Sequence, residues 1–385
     1  MNNVKEIYFL INNEYQLLDT KKHLVNFNKK RYKITILNGY KSKKDLKKYF
    51  KNIKVINLNL PQIRYTFAWF LSAIKFFKFN RKIKYSIKTD KNSFLFFYNE
   101  VSLGNHLVVK FFKKNASKVL LINDAGLATY LTFSDYSEKN KSKLWIVRKF
   151  LTNLVPYLGD TRLVRSCRYN YYFWLPDKYI DGVIGYDFFK NRRKFPTYYI
   201  RDTKKNISKN IKNNSILYFN SNEYEDGFLT INQYLDITHK IISKLLKSYS
   251  KVIFKFHPRE SKEIINFINN RYFSNKKVKI LNPSNNYQTL INDLKIKNIA
   301  SICSSAALTI PYKVNRYFYF RSVMKIFPSN FKYVLKKQEQ LLMSWGGIKS
   351  GKVIKLPQSI KVHKNQKYFD NLEKLVRNYS SANLK

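Results

Sequence analysis

The chain has 385 residues, with 73 Lys and Arg against 24 Asp and Glu, a formal net charge of +49, and 17% aromatic residues. That aromatic content, with only 10 Gly and 9 Pro, excludes a disordered or collagen-like chain, and the length suits about two domains with real cores. Its 2 cysteines, Cys167 and Cys303, cannot build a disulfide framework or a thiolate metal cage, and a reduced, intracellular setting is the simpler expectation.

In chain order, short apolar runs predict strands at Ile7–Ile11, Ile34–Leu37, Val55–Leu58, Phe94–Tyr98 and Val119–Ile122. A second set follows at Ile216–Phe219, Val252–Phe256, Val278–Leu281 and Ile299–Ile302. Helices are predicted between them at Glu14–Asn26, Lys44–Phe50, Ile231–Leu246, Glu260–Asn269 and Tyr287–Leu294. Strand alternating with helix predicts an α/β class, parallel sheets covered by helices. Two Rossmann-like, doubly wound domains facing a cleft follow naturally. The polar, Lys- and Asn-rich Arg201–Asn214 is the linker candidate, which sets the domains at 1–200 and 215–385, with the last helix packing back on the first domain. No internal repeat is visible.

The N-terminal apolar run, Ile7–Ile11, is shorter than the roughly 7–15 residues of a secretory signal. No uncharged stretch approaches the about 20 residues of a membrane-spanning helix. The expected location is therefore the cytoplasm. The basic excess is spread evenly, +26 over residues 1–200 (39 basic, 13 acidic) and +23 over residues 201–385 (34 basic, 11 acidic). Nucleic-acid binders concentrate charge on one face and carry recognisable motifs, so no specific nucleic-acid partner is expected. An even positive field suits an anionic partner instead. Tyr65–Phe79 is rich in aromatic residues, among them Trp69, Phe70, Phe76 and Phe77, and Arg162, Arg165 and Arg168 recur every third residue. Either segment reads as a core helix with a solvated basic face, or as a helix lying on an anionic membrane surface.

Three segments stand where predicted strands end, the place where ligands bind in open α/β sheets. Leu121 to Tyr130 puts Asp124 after a buried strand, with Gly126 permitting a tight turn beside it. Asp124 is either a general base within reach of an attacking hydroxyl or a helix N-cap. Val252 to Glu260 ends in His257-Pro258-Arg259, where Pro258 stops the ladder and leaves His257 at the strand tip. His257 and Arg259 can hold and protonate a phosphate leaving group, or His257 can simply cap or pack. In Ile299 to Leu308 a strand runs into small residues that can start a helix, and Ser304 and Ser305 there are either an anion site or ordinary caps. Glu223-Tyr224-Glu225-Asp226 reads as a solvated loop without metal-ligand logic, or as a loop contacting a sugar or ribose, and Ser344-Trp345-Gly346-Gly347 as a plain turn.

With Asp124-Ala125-Gly126, His257-Pro258 and Ser304-Ser305 in this order, the sequence resembles the bacterial sialyltransferases of the polysialyltransferase and lipooligosaccharide sialyltransferase families. Asn13 to Leu18 also looks like the segment after their first strand. One departure is that Ala125 stands where those families carry a second acidic residue. The resemblance implies a GT-B fold, with an N-terminal acceptor-side domain and a C-terminal domain for the CMP nucleotide sugar. It implies inverting, metal-independent transfer from CMP-sialic acid, with no cofactor, to a glycan or glycolipid acceptor of a capsule or lipooligosaccharide. Asp124 and His257 would be catalytic, and His257, Pro258, Arg259, Ser304 and Ser305 would bind the CMP phosphate. Should Asp124 not be the base, Glu100 and Asp90 are the next carboxylates. Rival expectations are a transferase of the same fold for another CMP-activated acidic sugar (Kdo or legionaminic type) and a non-enzymatic protein binding anionic lipid or glycan.

Overall fold

The computed structural model describes residues 5–39, 46–60, 69–100, 102–122, 162–165, 171–185, 195–200, 214–281, 296–308, 314–356 and 367–381. The first sheet is built from β1 (Lys5–Ile11), β2 (Tyr32–Asn38), β3 (Lys54–Asn57), β4 (Phe94–Phe97) and β5 (Lys118–Ile122). A separate antiparallel hairpin follows, β6 (Arg162–Arg165) with β7 (Tyr171–Trp174). The first sheet then resumes with β8 (Gly182–Gly185) and β9 (Thr197–Ile200). The second sheet holds β10 (Ser215–Phe219), β11 (Lys251–Lys255), β12 (Val278–Leu281), β13 (Asn298–Ser301), β14 (Asn315–Phe318), β15 (Ile348–Ser350) and β16 (Val353–Leu356). The last strand, β17 (Lys367–Phe369), returns to pair with β9.

The first sheet runs β17-β9-β8-β5-β4-β1-β2-β3, every pair parallel. The second runs β12-β11-β10-β13-β14-β16-β15, parallel as far as β14 and antiparallel in its final hairpin. Counted from its own first strand, each sheet contains the order 3-2-1-4-5 of a doubly wound Rossmann unit. The order reverses between β1 and β4 in the first sheet and between β10 and β13 in the second. Parallel strands covered on both faces are apolar throughout. β4 (Phe-Leu-Phe-Phe) and β10 (Ser-Ile-Leu-Tyr-Phe) are buried at every position.

The helices are α1 (Glu14–Leu24), α2 (Leu46–Tyr49), α3 (Trp69–Ser86), α4 (Leu103–Lys114), α5 (Ile231–Ser248), α6 (Lys262–Tyr272), α7 (Phe320–Met324), α8 (Ser329–Ser344) and α9 (Leu372–Ser381). Asn13 caps α1 by accepting the Gln16 N–H at 2.9 Å, and Thr230 and Gln233 form a reciprocal capping box at the start of α5. One buried core groups the second sheet with α5 and α6, while Leu372, Leu375 and Val376 of α9 join the core of the first sheet beside Ile7 and Phe9. Among the described residues no helix is long and apolar enough to cross a membrane.

All nine predicted strands are present, within two residues at either end. Other expectations need correction. Arg162 and Arg165 lie on a strand rather than on a helix, because Leu163 and Val164 pair with the aromatic Phe173 and Tyr172 across the hairpin. Arg168, Tyr287–Leu294 and most of the linker candidate (201–213) lie outside the described residues. In α3, Phe76 belongs to the core at 1% exposure whereas Phe77 is 48% exposed. The turn at Ser344 to Gly347 ends α8, with Gly346 in the left-handed region (φ 84°). Gly182 is required by packing, since a Cβ there would come within 2.5 Å of the Tyr198 ring.

Candidate functional site at the carboxyl edge of the second sheet

Phe219, Lys255 and Ser301 are level with one another across β11, β10 and β13. The segments that follow therefore emerge from the same sheet edge, around the point where strand order reverses. His257 comes two residues beyond β11 and Ser304 three beyond β13, flanking the loop that leaves β10.

The His257 turn is locked from several sides. Glu260 N–H donates to the His257 carbonyl at 3.1 Å, and the Glu260 carboxyl accepts the His257 N–H at 2.7 Å. The Arg259 N–H donates to His257 Nδ1 at 3.2 Å. With Nδ1 accepting, Nε2 carries the ring proton and is the donor left for a ligand. Burial, then the charges of Arg259 and Lys255, push the His257 pKa down to about 4. Near neutral pH the imidazole of the ligand-free site is therefore an uncharged N–H donor. The Arg259 guanidinium is half exposed and pairs with Asp226 at 3.2 Å, which ties this turn to the β10 loop.

That loop is not the solvated segment the sequence suggested. Glu223 is 3% exposed, and its Oε1 accepts the Cys303 thiol proton at 2.9 Å. Burial raises its carboxyl pKa, and burial with the nearby carboxylate raises that of the thiol. Glu225 accepts the Ser261 N–H at 2.9 Å at the start of α6. These acids are held in place by groups that sequence distance had hidden.

The segment after β13 also differs from expectation. It forms a single 3-10 turn over Ser305–Ala307, and the Ser304 N–H is already given to Ser301 Oγ at 2.7 Å. So short a turn has no helix-type N-terminus, and the Ser304 hydroxyl, not its N–H, is what remains for an anion. Behind this turn lies Arg316 of β14, a residue the sequence reading passed over. It is 2% exposed and donates to the Ala307 carbonyl at 3.0 Å and the Val314 carbonyl at 3.2 Å, with burial lowering its pKa to about 10.

On the first sheet, β5 ends at Ile122, so Asp124, Ala125 and Gly126 lie just past its carboxyl end but outside the described residues. The two alternative carboxylates separate. Glu100 is buried after β4, at the same sheet edge as the end of β5. Asp90 precedes β4 at the opposite edge, where it accepts from Asn92 N–H and the Ser93 hydroxyl, both at 2.9 Å, and shapes a turn. The segment after β1 is tied to this region: Asn12 exchanges amide hydrogen bonds with Asn105 of α4 at 3.0 and 3.1 Å.

Comparison with known proteins adds the family. Among solved structures, the UDP-GlcNAc 2-epimerase of Methanocaldococcus jannaschii in complex with UDP-GlcNAc and UDP is 12% identical, covering 98% of this chain and 99% of that one, with a TM-score of 0.47. MnaA of S. aureus with UDP is 11% identical over 88% of each chain (TM-score 0.46), and MurG of Acinetobacter baumannii is 7% identical over 98% of this chain and 90% of that one (TM-score 0.39). No curated protein matches the sequence. The family described as alpha-2,8-polysialyltransferase (POLYST) matches residues 2–316, more than four-fifths of the chain and the whole run from β1 into β14. This excludes the non-enzymatic alternative: the chain belongs to the alpha-2,8-polysialyltransferase family and is a glycosyltransferase.

Proposed function

We propose that this glycosyltransferase moves sialic acid from CMP-sialic acid to a hydroxyl of a bacterial surface glycan, with inversion and without a metal ion. The acceptor hydroxyl attacks the anomeric carbon while the bond from that carbon to the CMP phosphate oxygen breaks. The phosphate leaves with the electron pair, and Asp124 takes the hydroxyl proton. His257 Nε2–H, Arg259 and the hydroxyls of Ser304 and Ser305 meet the charge that develops on the phosphate.

The observation that supports this reading most is the His257 ring, fixed as an N–H donor at the carboxyl edge of the second sheet, across the β10 loop from the Ser304 segment. A nucleotide phosphate at such a switch point is the usual use of this architecture. The acceptor, a capsule or lipooligosaccharide chain on a lipid, would be held at the cytoplasmic face of the inner membrane, where a +49 protein docks peripherally.

The test is release of CMP from CMP-sialic acid in the presence of oligosialic acid, with and without EDTA. Release that depends on the acceptor and is unchanged by EDTA is expected. Release only from CMP-Kdo or a CMP-legionaminic acid would reassign the donor, and release abolished by EDTA would overturn the metal-free mechanism.

A further inference from the structure

Glu260 closes the His257 turn, yet nothing in the mechanism above uses it. Its carboxyl is a buried hub at 8% exposure. One oxygen accepts the His257 N–H at 2.7 Å. The other is shared by the Asn220 side-chain amide, just past β10, and the Tyr234 hydroxyl of α5 at 2.8 Å. Three segments of the second domain therefore meet on a single carboxyl group.

Counting hydrogens at this hub has a consequence. The Tyr234 hydroxyl has one proton but lies within hydrogen-bonding reach of two acceptors, the Ser221 carbonyl and the Glu260 carboxyl. A carbonyl brings no proton of its own. Both contacts hold together only when Glu260 supplies a proton, giving it to the tyrosine oxygen while the tyrosine donates to Ser221. An ionised Glu260 forces Tyr234 to abandon one acceptor in a buried setting, where an unmade hydrogen bond is costly.

We infer that Glu260 is a positioning residue carried in its neutral, protonated form, and that its proton is linked to binding of an anionic donor at the His257 turn. The inference deepens the proposed function and rests on it. Losing the proton places a negative charge behind the phosphate position and releases one contact holding the β10 loop. The groups set against it are Tyr218, Asn220 and Glu225 from β10 and its loop, Lys255 from β11, Tyr234 from α5, and His257 from its own turn, while Glu223, Asp226 and Arg259 belong to the surrounding network. Glu225 disfavours ionisation. Burial outweighs the hydrogen bonds from Tyr234, His257 and Asn220, which favour the charged form, and raises the Glu260 pKa to about 8 from the usual 4.5. The stability gained from the neutral form is complete below 4.5 and is lost as pH rises through about 8.

The test uses the full chain and CMP as the probe. Calorimetric affinity is measured from pH 6.5 to 9.5 for the wild type and Glu260→Gln, beside melting temperature from pH 5 to 9. The wild type should lose about tenfold in CMP affinity across the alkaline limb, as one unit of linked titration gives. Its melting temperature should fall over the same range. Glu260→Gln should flatten both profiles while binding CMP at pH 7 nearly as well as the wild type. Parallel profiles for the two proteins overturn the inference. Absence of CMP binding in both sinks the donor reading instead, and the melting profiles still judge Glu260. Should the Gln variant not fold, Tyr234→Phe removes the hydroxyl that takes the proton and must displace the wild-type limb; an undisplaced limb overturns the inference.

Discussion

The backbone N–H of Arg259 donates to Nδ1 of His257 across 3.2 Å, so the chain itself chooses the tautomer of the one histidine at the site. A glutamine places an amide nitrogen near the position of Nε2, and alanine places nothing there. His257→Ala is expected to lower kcat by roughly 10²–10³, the range for losing one preorganised donor. His257→Gln should recover at least tenfold of that loss, by order of magnitude. Equal loss in the two variants, at unchanged melting temperature, would mean that His257 transfers a proton and does not merely donate a hydrogen bond.

The same residue makes an acid-side prediction. Its pKa in the folded protein is about 4 against 6.5 for a free histidine, so folding favours the neutral ring. That contribution is present above 6.5 and is lost as pH falls through about 4. A proton NMR titration of the ligand-free protein should show no inflection for His257 near 6.5, and bound CMP should move its titration upward. An inflection near 6.5 in the free protein would mean that the imidazole is better solvated than the closed turn implies.

For the acceptor side, Asp124→Asn should bind CMP normally and lose turnover by roughly 10²–10⁴. Single-turnover kinetics with saturating CMP-sialic acid measures this. Were Asp124→Asn fully active, the base would pass to Glu100, which shares the sheet edge with the end of β5. Asp90 is removed from consideration by its place before β4.

Arg316 supports the Ser304 turn from behind. Arg316→Met keeps much of the volume but strands the Ala307 and Val314 carbonyls, at a cost of about 2–4 kcal/mol. Denaturant unfolding reads the stability, and CMP affinity should fall as the turn loosens. A variant as stable as the wild type would show that those carbonyls find other donors.

The outer face of α3 carries the membrane prediction in corrected form. Ile74, Phe77 and Tyr85 are 41%, 48% and 77% exposed, and Lys78 and Arg81 share the same helical face. Each basic residue near an anionic surface contributes about 1 kcal/mol, screened by salt. The protein should sediment with phosphatidylserine vesicles at low salt and be released as salt rises, and Phe77→Ser with Arg81→Glu should weaken both. Indifference to anionic vesicles at low ionic strength would make the charge a matter of composition alone.

Strands covered on both faces announce themselves, because runs such as Phe94-Leu-Phe-Phe97 have little alternative to the interior. Where burial and pattern part company, the sequence is silent. α4 was missed because Leu103 through Lys110 is buried without interruption, so no amphipathic period survives. β8 is four residues long with Gly at each end. The His257 and Ser304 segments were legible from their position after strands. Glu260 and Arg316 were not, since their weight comes from partners in other segments. Glu223 was misread because a charged side chain looks solvated until its burial is known.

The return of β17 and α9 to the first sheet also bears on how the molecule is made. During synthesis β9 has an open edge until residues 367–369 appear, long after β10 to β16 can have paired among themselves. The earlier-made unit is therefore the later one to be completed, and its waiting edge at β9 is one more place where a nascent chain can pair with a neighbour. A chain truncated after residue 360, released and purified, should show a protease-resistant second unit tethered to a first one that is still easily cut.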